Sequence, residues 1–152
     1  MIYSLKPAST KHIPTLIKYK MDTILKYAKN IQKEELEKIT NYVNISIPKQ
    51  LSNYKLIVVE NKEVGCLLVR EYKEGVLLDE IYIEEAYRNM NIGTTIIKEI
   101  INNNKTIYLY VYKDNIKACE LYKRLGFKII EESESRYFMQ YKNQWYLIIG
   151  FY

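Results

Sequence analysis

The 152 residues predict one α/β domain of the α+β kind: a mixed, mostly antiparallel central sheet of about seven strands flanked by four helices. Three observations carry this. Four segments repeat apolar residues at helical spacing, and the chain between them falls into short runs rich in β-branched and aromatic residues. Short polar stretches separate three of those runs, which implies an antiparallel meander. A strand, a helix and another strand between Val76 and Tyr112 then require one parallel crossover, so the sheet is mixed.

The elements follow in order. Ile2 to Leu5 is a short apolar start. Ser9 and Thr10 precede an amphipathic helix in which Ile13, Leu16, Ile17, Met21, Ile24, Leu25 and Ala28 face inward. A second, weaker helix runs from about Lys33 to Val43, with Leu36, Ile39 and Val43 inward and Pro48 beyond its end. Strands are expected at Tyr54 to Val59, Val64 to Glu71 and Val76 to Ile83, separated by residues 60–63 and 72–75. Ile92, Ile96, Ile97, Ile100 and Ile101 restore helical spacing, and Thr106 to Tyr112 is a strand again. A fourth helix, Asn115 to Leu125, is stopped by Gly126, which suits a left-handed position past a helix end. Two last strands, Phe127 to Glu132 and Tyr137 to Lys142, complete one domain over 1–142. The remaining 143–152 form an apolar tail containing Trp145, Tyr146, Leu147, Ile148, Ile149, Phe151 and Tyr152, expected to pack on the domain or to make a homodimer contact.

Composition narrows the function classes. A chain of this length buries roughly 70% of its unfolded surface and needs no disulfide or metal staple. Cys66 and Cys119 are far apart with no Cys-x-x-Cys spacing, and His12 is the single histidine, so a disulfide framework, a zinc ribbon and a bound metal are not expected. The N-terminal residues lack the apolar stretch of a signal peptide, and no run reaches the ~18 apolar residues of a membrane span, so a soluble cytoplasmic protein without a membrane partner is expected. A net charge of +5 nominates nucleic acid, acidic membranes and phosphorylated small molecules. Only four basic residues are Arg, however, and Tyr108, Tyr110 and Tyr112 alternate with apolar residues as in any two-faced strand, which disfavours a nucleic-acid partner.

The most informative stretch runs from Leu78 to Thr95. A strand ends, a few polar or small residues intervene, and a turn containing Arg88, Asn91 and Gly93 leads directly into a helix. The first amides of a helix have no intrahelical partner and its dipole favours negative charge there, so this is an anion site as well as a helix start. Gly93 admits close approach of a phosphate, and Arg88 adds a counter-charge. Farther on, the helix from Asn115 carries Ala118, Tyr122, Gly126 and Phe127.

These two patterns together resemble the GNAT superfamily of acyl-CoA-dependent N-acetyltransferases, whose members carry an Arg/Gln-x-x-Gly-x-Gly/Ala turn and a downstream Asn-x-x-Ala-x-x-x-Tyr-x-x-x-Gly-Phe helix. The second pattern is complete here. The first has Asn91 where the family usually has Gly; Asn visits positive φ more readily than other side-chain-bearing residues, so the turn survives while its side chain crowds the anion.

The resemblance implies acetyl-CoA as cosubstrate, with the main chain of Ile81, Tyr82 and Ile83 pairing with the pantetheine arm as an added strand would. It implies that the amides of Asn89, Met90, Asn91, Ile92, Gly93 and Thr94, beside Arg88, cradle the pyrophosphate. Asn115 would contact the pantetheine arm, though it is also a good helix cap. Tyr122 would be the general acid for the leaving thiolate, though it also reads as a core aromatic. Glu80 matches the acidic residue that serves many members as base; strand alternation puts Asp79 on the opposite face. The fifth-strand glutamate that other members carry is replaced by Tyr110. The implied reaction is acetyl transfer to the primary amine of a small molecule, amino acid or peptide. Seven Lys between Ser9 and Thr40 weigh against a polycationic acceptor. An acyl-CoA-binding protein without turnover is the alternative.

Overall fold

The structure is a computed structural model and describes residues 2–144. The tail expectations therefore concern residues that lie almost wholly outside it. The sheet has seven strands: β1 (Ser4–Pro7), β2 (Tyr54–Val59), β3 (Lys62–Tyr72), β4 (Gly75–Ile83), β5 (Thr106–Tyr112), β6 (Lys128–Glu132) and β7 (Arg136–Lys142). They lie in the order β1-β2-β3-β4-β5-β7-β6, antiparallel throughout except for β4 beside β5. Four helices, α1 (Ile13–Tyr27), α2 (Lys33–Gln50), α3 (Ile92–Asn103) and α4 (Ile116–Leu125), cover the two faces.

Each face has its own core. On one side Ile92, Ile96, Ile97 and Ile101 of α3, with Cys119 and Tyr122 of α4, pack against Ile57, Leu67, Leu78, Ile107, Leu109 and Met139 of the sheet. Burial of each isoleucine stabilises the fold by about 1.5–3 kcal/mol. On the other side Leu16, Tyr19 and Ile24 of α1, with Val43 and Ile47 of α2, pack against Tyr54, Cys66 and Leu68. His12 ties the start of α1 to the sheet: its Nδ1 accepts from the Ser9 amide at 2.9 Å, and its Nε2 meets Glu63 at 2.9 Å.

Several boundaries differ from the sequence reading. Helix α2 continues to Gln50 and contains Pro48, because Val43 and Ile47 on its inner face are almost fully buried and their packing offsets the hydrogen bond that proline removes. In α1 it is Tyr19 that is buried, whereas Leu25 is exposed. The turn between β2 and β3 is only Glu60 and Asn61, both at positive φ, the two-residue hairpin whose twist matches its strands. Helix α4 begins after Asn115, whose side chain accepts from the Ala118 amide at 3.3 Å, and ends at Gly126 with φ 109°.

Candidate active site

The site is organised by β4. Its parallel pairing with β5 is confined to Val76, Leu77 and Leu78 opposite Ile107, Tyr108 and Leu109, so among the described residues no strand lies beside this edge of β4 beyond Leu78. On its other edge β4 pairs with β3, and there Leu68 faces Glu80 while Val69 faces Leu78. Asp79 is the extra residue of a bulge. This corrects the expected alternation. Asp79 pairs with Arg70 at 2.9 Å, and Arg70 shares the face of Leu68 two positions away, so Asp79 and Glu80 both lean to the α1–α2 side. After the bulge, Ile81 and Ile83 point to the α3–α4 core and Tyr82 to the α1–α2 core.

Main-chain directions follow the same period. The Glu84 amide donates to Val64 on β3, and the Tyr82 carbonyl also faces β3, lying where a Cβ on Gly65 would be. The open edge is therefore formed by the main chains of Ile81 and Ile83, which limits the expected pairing surface to those two and leaves Tyr82 to act through its ring.

At the far end of this edge lies the turn. Asn91 has φ 62° and caps α3, and Asn89 has φ 64°. The first intrahelical bond is from Thr95 to the Asn91 carbonyl at 2.9 Å, so the amides of Ile92, Gly93 and Thr94 have no partner within the helix. A Cβ on Gly93 would come within 3.3 Å of Ile83 Cδ1, so glycine lets α3 close on β4. Arg88 donates from Nε to the Ile83 carbonyl at 2.7 Å, with its guanidinium over the Tyr82 ring. Arg88, Asn89, Asn91, Gly93 and Thr94 line one wall of a groove whose other wall is Lys117, Glu120, Leu121 and Arg124 of α4, two cations with one carboxylate between them. Met90 is an exposed residue of the turn.

Tyr122 lies one layer deeper. Its ring packs edge-on against Phe127 at 5.5 Å, its hydroxyl makes no hydrogen bond among the described residues, and burial pushes its phenol up to about 12.

Across the sheet, Glu80 is the centre of a buried polar cluster. It is 8% exposed, accepts from the Tyr54 hydroxyl at 2.6 Å and from the Cys66 thiol at 3.5 Å, and has Lys20 Nζ at 3.9 Å. Burial raises its carboxyl above the usual range against the opposing effects of Lys20, Tyr54 and Cys66, while Asp79 pushes the same way as burial. Next to it the Tyr19 ring stacks on Tyr82 at 4.3 Å and 18°, and the Tyr19 hydroxyl donates to Glu84 at 2.5 Å. An acid held in low dielectric and raised toward neutrality can exchange a proton with an amine.

Residues 52–129, just over half of the chain, match a family model described as an acetyltransferase (GNAT) domain. The chain belongs to the GNAT acetyltransferase family. It is 36% identical over 72 residues to the spermine/spermidine N(1)-acetyltransferase of Bacillus subtilis, covering 40% of this chain and 47% of that protein. It is also 37% identical over 57 residues to the probable N-acetyltransferase san of Drosophila melanogaster, covering 34% of this chain and 31% of that protein. The chain thus spans half the length or less of these curated relatives. Among solved structures, the PaiA N-acetyltransferase of Thermoplasma acidophilum in complex with coenzyme A has a TM-score of 0.69 at 20% identity, covering 93% of this chain and 99% of that one. The apo form of Escherichia coli YjaB has a TM-score of 0.71 at 18% identity, covering 93% and 98%. At these identities the likeness is one of GNAT fold.

Within this GNAT fold, sequence reasoning singled out Glu80, the turn and Tyr122 but missed their neighbours. Lys117 and Arg124 carried a signal, since with Leu121 they recur at the spacing of one helix face. Tyr54, Cys66 and Lys20 carried none, because only the alignment of β2 and β3 beside β4 and the closure of α1 on the sheet bring them to Glu80.

Proposed function

We propose that this protein transfers an acetyl group from acetyl-CoA to the primary amine of a small molecule, amino acid or peptide, by direct attack in a ternary complex. The observation that carries the reading is the open edge of β4, with an anion-accepting turn at one end and the Glu80 carboxyl at the other. The residues present fit the cosubstrate: three outward amides at Ile92, Gly93 and Thr94, a left-handed Asn91, and three cations, Arg88, Lys117 and Arg124, suit a pyrophosphate. The main chain of Ile81 and the amide of Ile83, whose carbonyl already accepts from Arg88, face an extended pantetheine arm.

Acetyl-CoA supplies an activated acyl group on sulfur. The protein's part is proton movement and orientation. Glu80 takes the proton that an acceptor ammonium must lose before its nitrogen is nucleophilic; its raised pKa brings it closer to that of the donor than an ordinary carboxylate. Tyr122 holds the proton for the departing thiolate: burial of the residue raises its phenol to about 12, so it stays protonated at neutral pH. Asn115 fixes the start of α4 through its cap, and thereby the height of Tyr122 two turns on. The aromatic pair Tyr19 and Tyr82, with Glu84 and Asp22 beside it, forms an acceptor wall that suits a cationic amine.

The test is to mix the protein with acetyl-CoA and a panel of amines that includes spermidine, amino acids and short peptides, reading thiol release. Turnover on at least one amine is expected. Saturable acetyl-CoA binding without thiol release would favour the second reading, a binding protein without turnover, which the Asn91 side chain in the turn and the Tyr54 and Cys66 donors already on Glu80 support.

A further inference from the structure

Lys20 projects from α1 toward Glu80, and its Nζ stands 3.9 Å from Glu80 Oε1 with the side chain 29% exposed. The helix turn that carries it is held by its neighbour Tyr19, stacked on Tyr82 and hydrogen-bonded to Glu84. Glu80 itself sits one residue past the bulge, just beyond Leu78, where β4 and β5 part. A cosubstrate whose pyrophosphate lies at the turn after β4 and whose arm follows the open edge directs its far end to that same apex. The chain's own primary amine thus stands beside the base that would activate an acceptor.

We propose that Lys20 is a self-acetylation site, an internal acceptor for the acetyl group of acetyl-CoA. This rests on the acetyltransfer reading above. In the step, Glu80 takes one proton from the Lys20 ammonium, and the freed nitrogen lone pair forms a C–N bond to the acetyl carbonyl carbon. The C–S bond breaks, and its electron pair leaves on sulfur. The thiolate takes the Tyr122 proton, the second proton lost by nitrogen restores the phenol, and Glu80 releases its proton to solvent. One amide, one thiol and one proton result. The amide is stable, so the modified lysine is an end product and not an intermediate. It is also neutral, so modification removes the cation from beside the buried carboxyl, and an external amine competes with Lys20 for the same acetyl group.

The full chain is incubated with acetyl-CoA alone and acetylation is mapped by mass spectrometry. Uncatalysed acetylation follows exposure and would favour Lys18 at 70% and Lys29 at 69% over Lys20 at 29%. The expected result reverses that order, with Lys20 ahead by about 100-fold or more, the lower end of what a positioned base supplies. Glu80→Gln is expected to lower acetylation at Lys20 by about 100-fold and leave Lys18 unchanged. An exposure-ordered pattern in the wild-type protein, or equal acetylation of Lys20 with and without the Glu80 carboxylate, overturns the proposal. The wild-type order decides the matter even if the variant fails to fold. Thiol release with the amine panel is read on the same preparation. Turnover of an external amine with Lys20 bare overturns self-acetylation alone, whereas no turnover and no modification overturn both readings.

Discussion

The two sides of β4 are built from different materials. Toward α3 and α4 the strand presents Ile81 and Ile83, which join an almost wholly apolar core, and the polar groups there belong to the main chain, the turn from Arg88 to Thr94 and the α4 cations. Toward α1 and α2 it presents Glu80 and Tyr82, and the polar groups are side chains held in a network with Tyr54, Cys66, Lys20, Tyr19 and Glu84. A single extra residue, Asp79, separates the two regimes, because the bulge reverses which face each later residue joins. The proposed acetyl transfer would use both: amides in fixed geometry suit a phosphate-bearing, extended ligand, whereas proton transfer needs titratable side chains whose burial shifts their pKa values.

The sharpest way to break this division is Tyr122, which lies in the apolar core and is proposed to serve the site from there. Tyr122→Phe is expected to lower turnover by about 100-fold or more while acetyl-CoA affinity, measured by calorimetry, stays within about threefold. Equal loss of both would make the tyrosine a packing residue only.

On the other side, Tyr54→Phe removes the donor to Glu80 and is expected to cost about 1.5–3 kcal/mol of stability in a denaturant titration. The base must be ionised, so the rate falls as pH drops through the Glu80 pKa, which already lies above the ordinary carboxylate range. Loss of the Tyr54 bond, which favours the ionised form, moves that acid limb to still higher pH. A limb that does not move would separate Glu80 from the base role.

A smaller effect is expected at the groove. Arg124→Ala removes one exposed cation and should weaken acetyl-CoA binding two- to fivefold, about 0.5–1 kcal/mol, with turnover at saturation unchanged. A loss of turnover instead would place Arg124 outside the cofactor wall. The smallest is Asn91→Gly, which keeps the left-handed turn, changes stability by about 0.5 kcal/mol and preserves or modestly tightens acetyl-CoA binding in calorimetry. Clear weakening would mean that the turn does not hold the pyrophosphate.

The legible parts share one property: their determinants lie close together in the chain. Strand β5 was read at its observed bounds from its alternation of Ile, Leu and Val with Tyr, and α4 within one residue from its cap at Asn115 and its stop at Gly126. The turn before α3 is legible because a left-handed residue and the helix start that follows it are set by consecutive residues. Pro48 misled because a local rule about proline was outweighed by the burial of Val43 and Ile47, which no local pattern measures. The bulge at Asp79 misled in the same way, since a strand's period is readable but its interruption is set by the partner strand.

The amino-acid sequence by itself determined the elements, their order, the single parallel crossover and the turn that leads into α3, because periodicity, caps and turn geometry act over a few residues. Tertiary structure decided which carboxylate is buried and what surrounds it. Tyr54 reaches Glu80 across 26 residues and Tyr19 reaches Glu84 across 65. The pKa and company of a buried acid depend on the dielectric and the partners that packing brings to it, and these exist only once both helices have closed on the sheet.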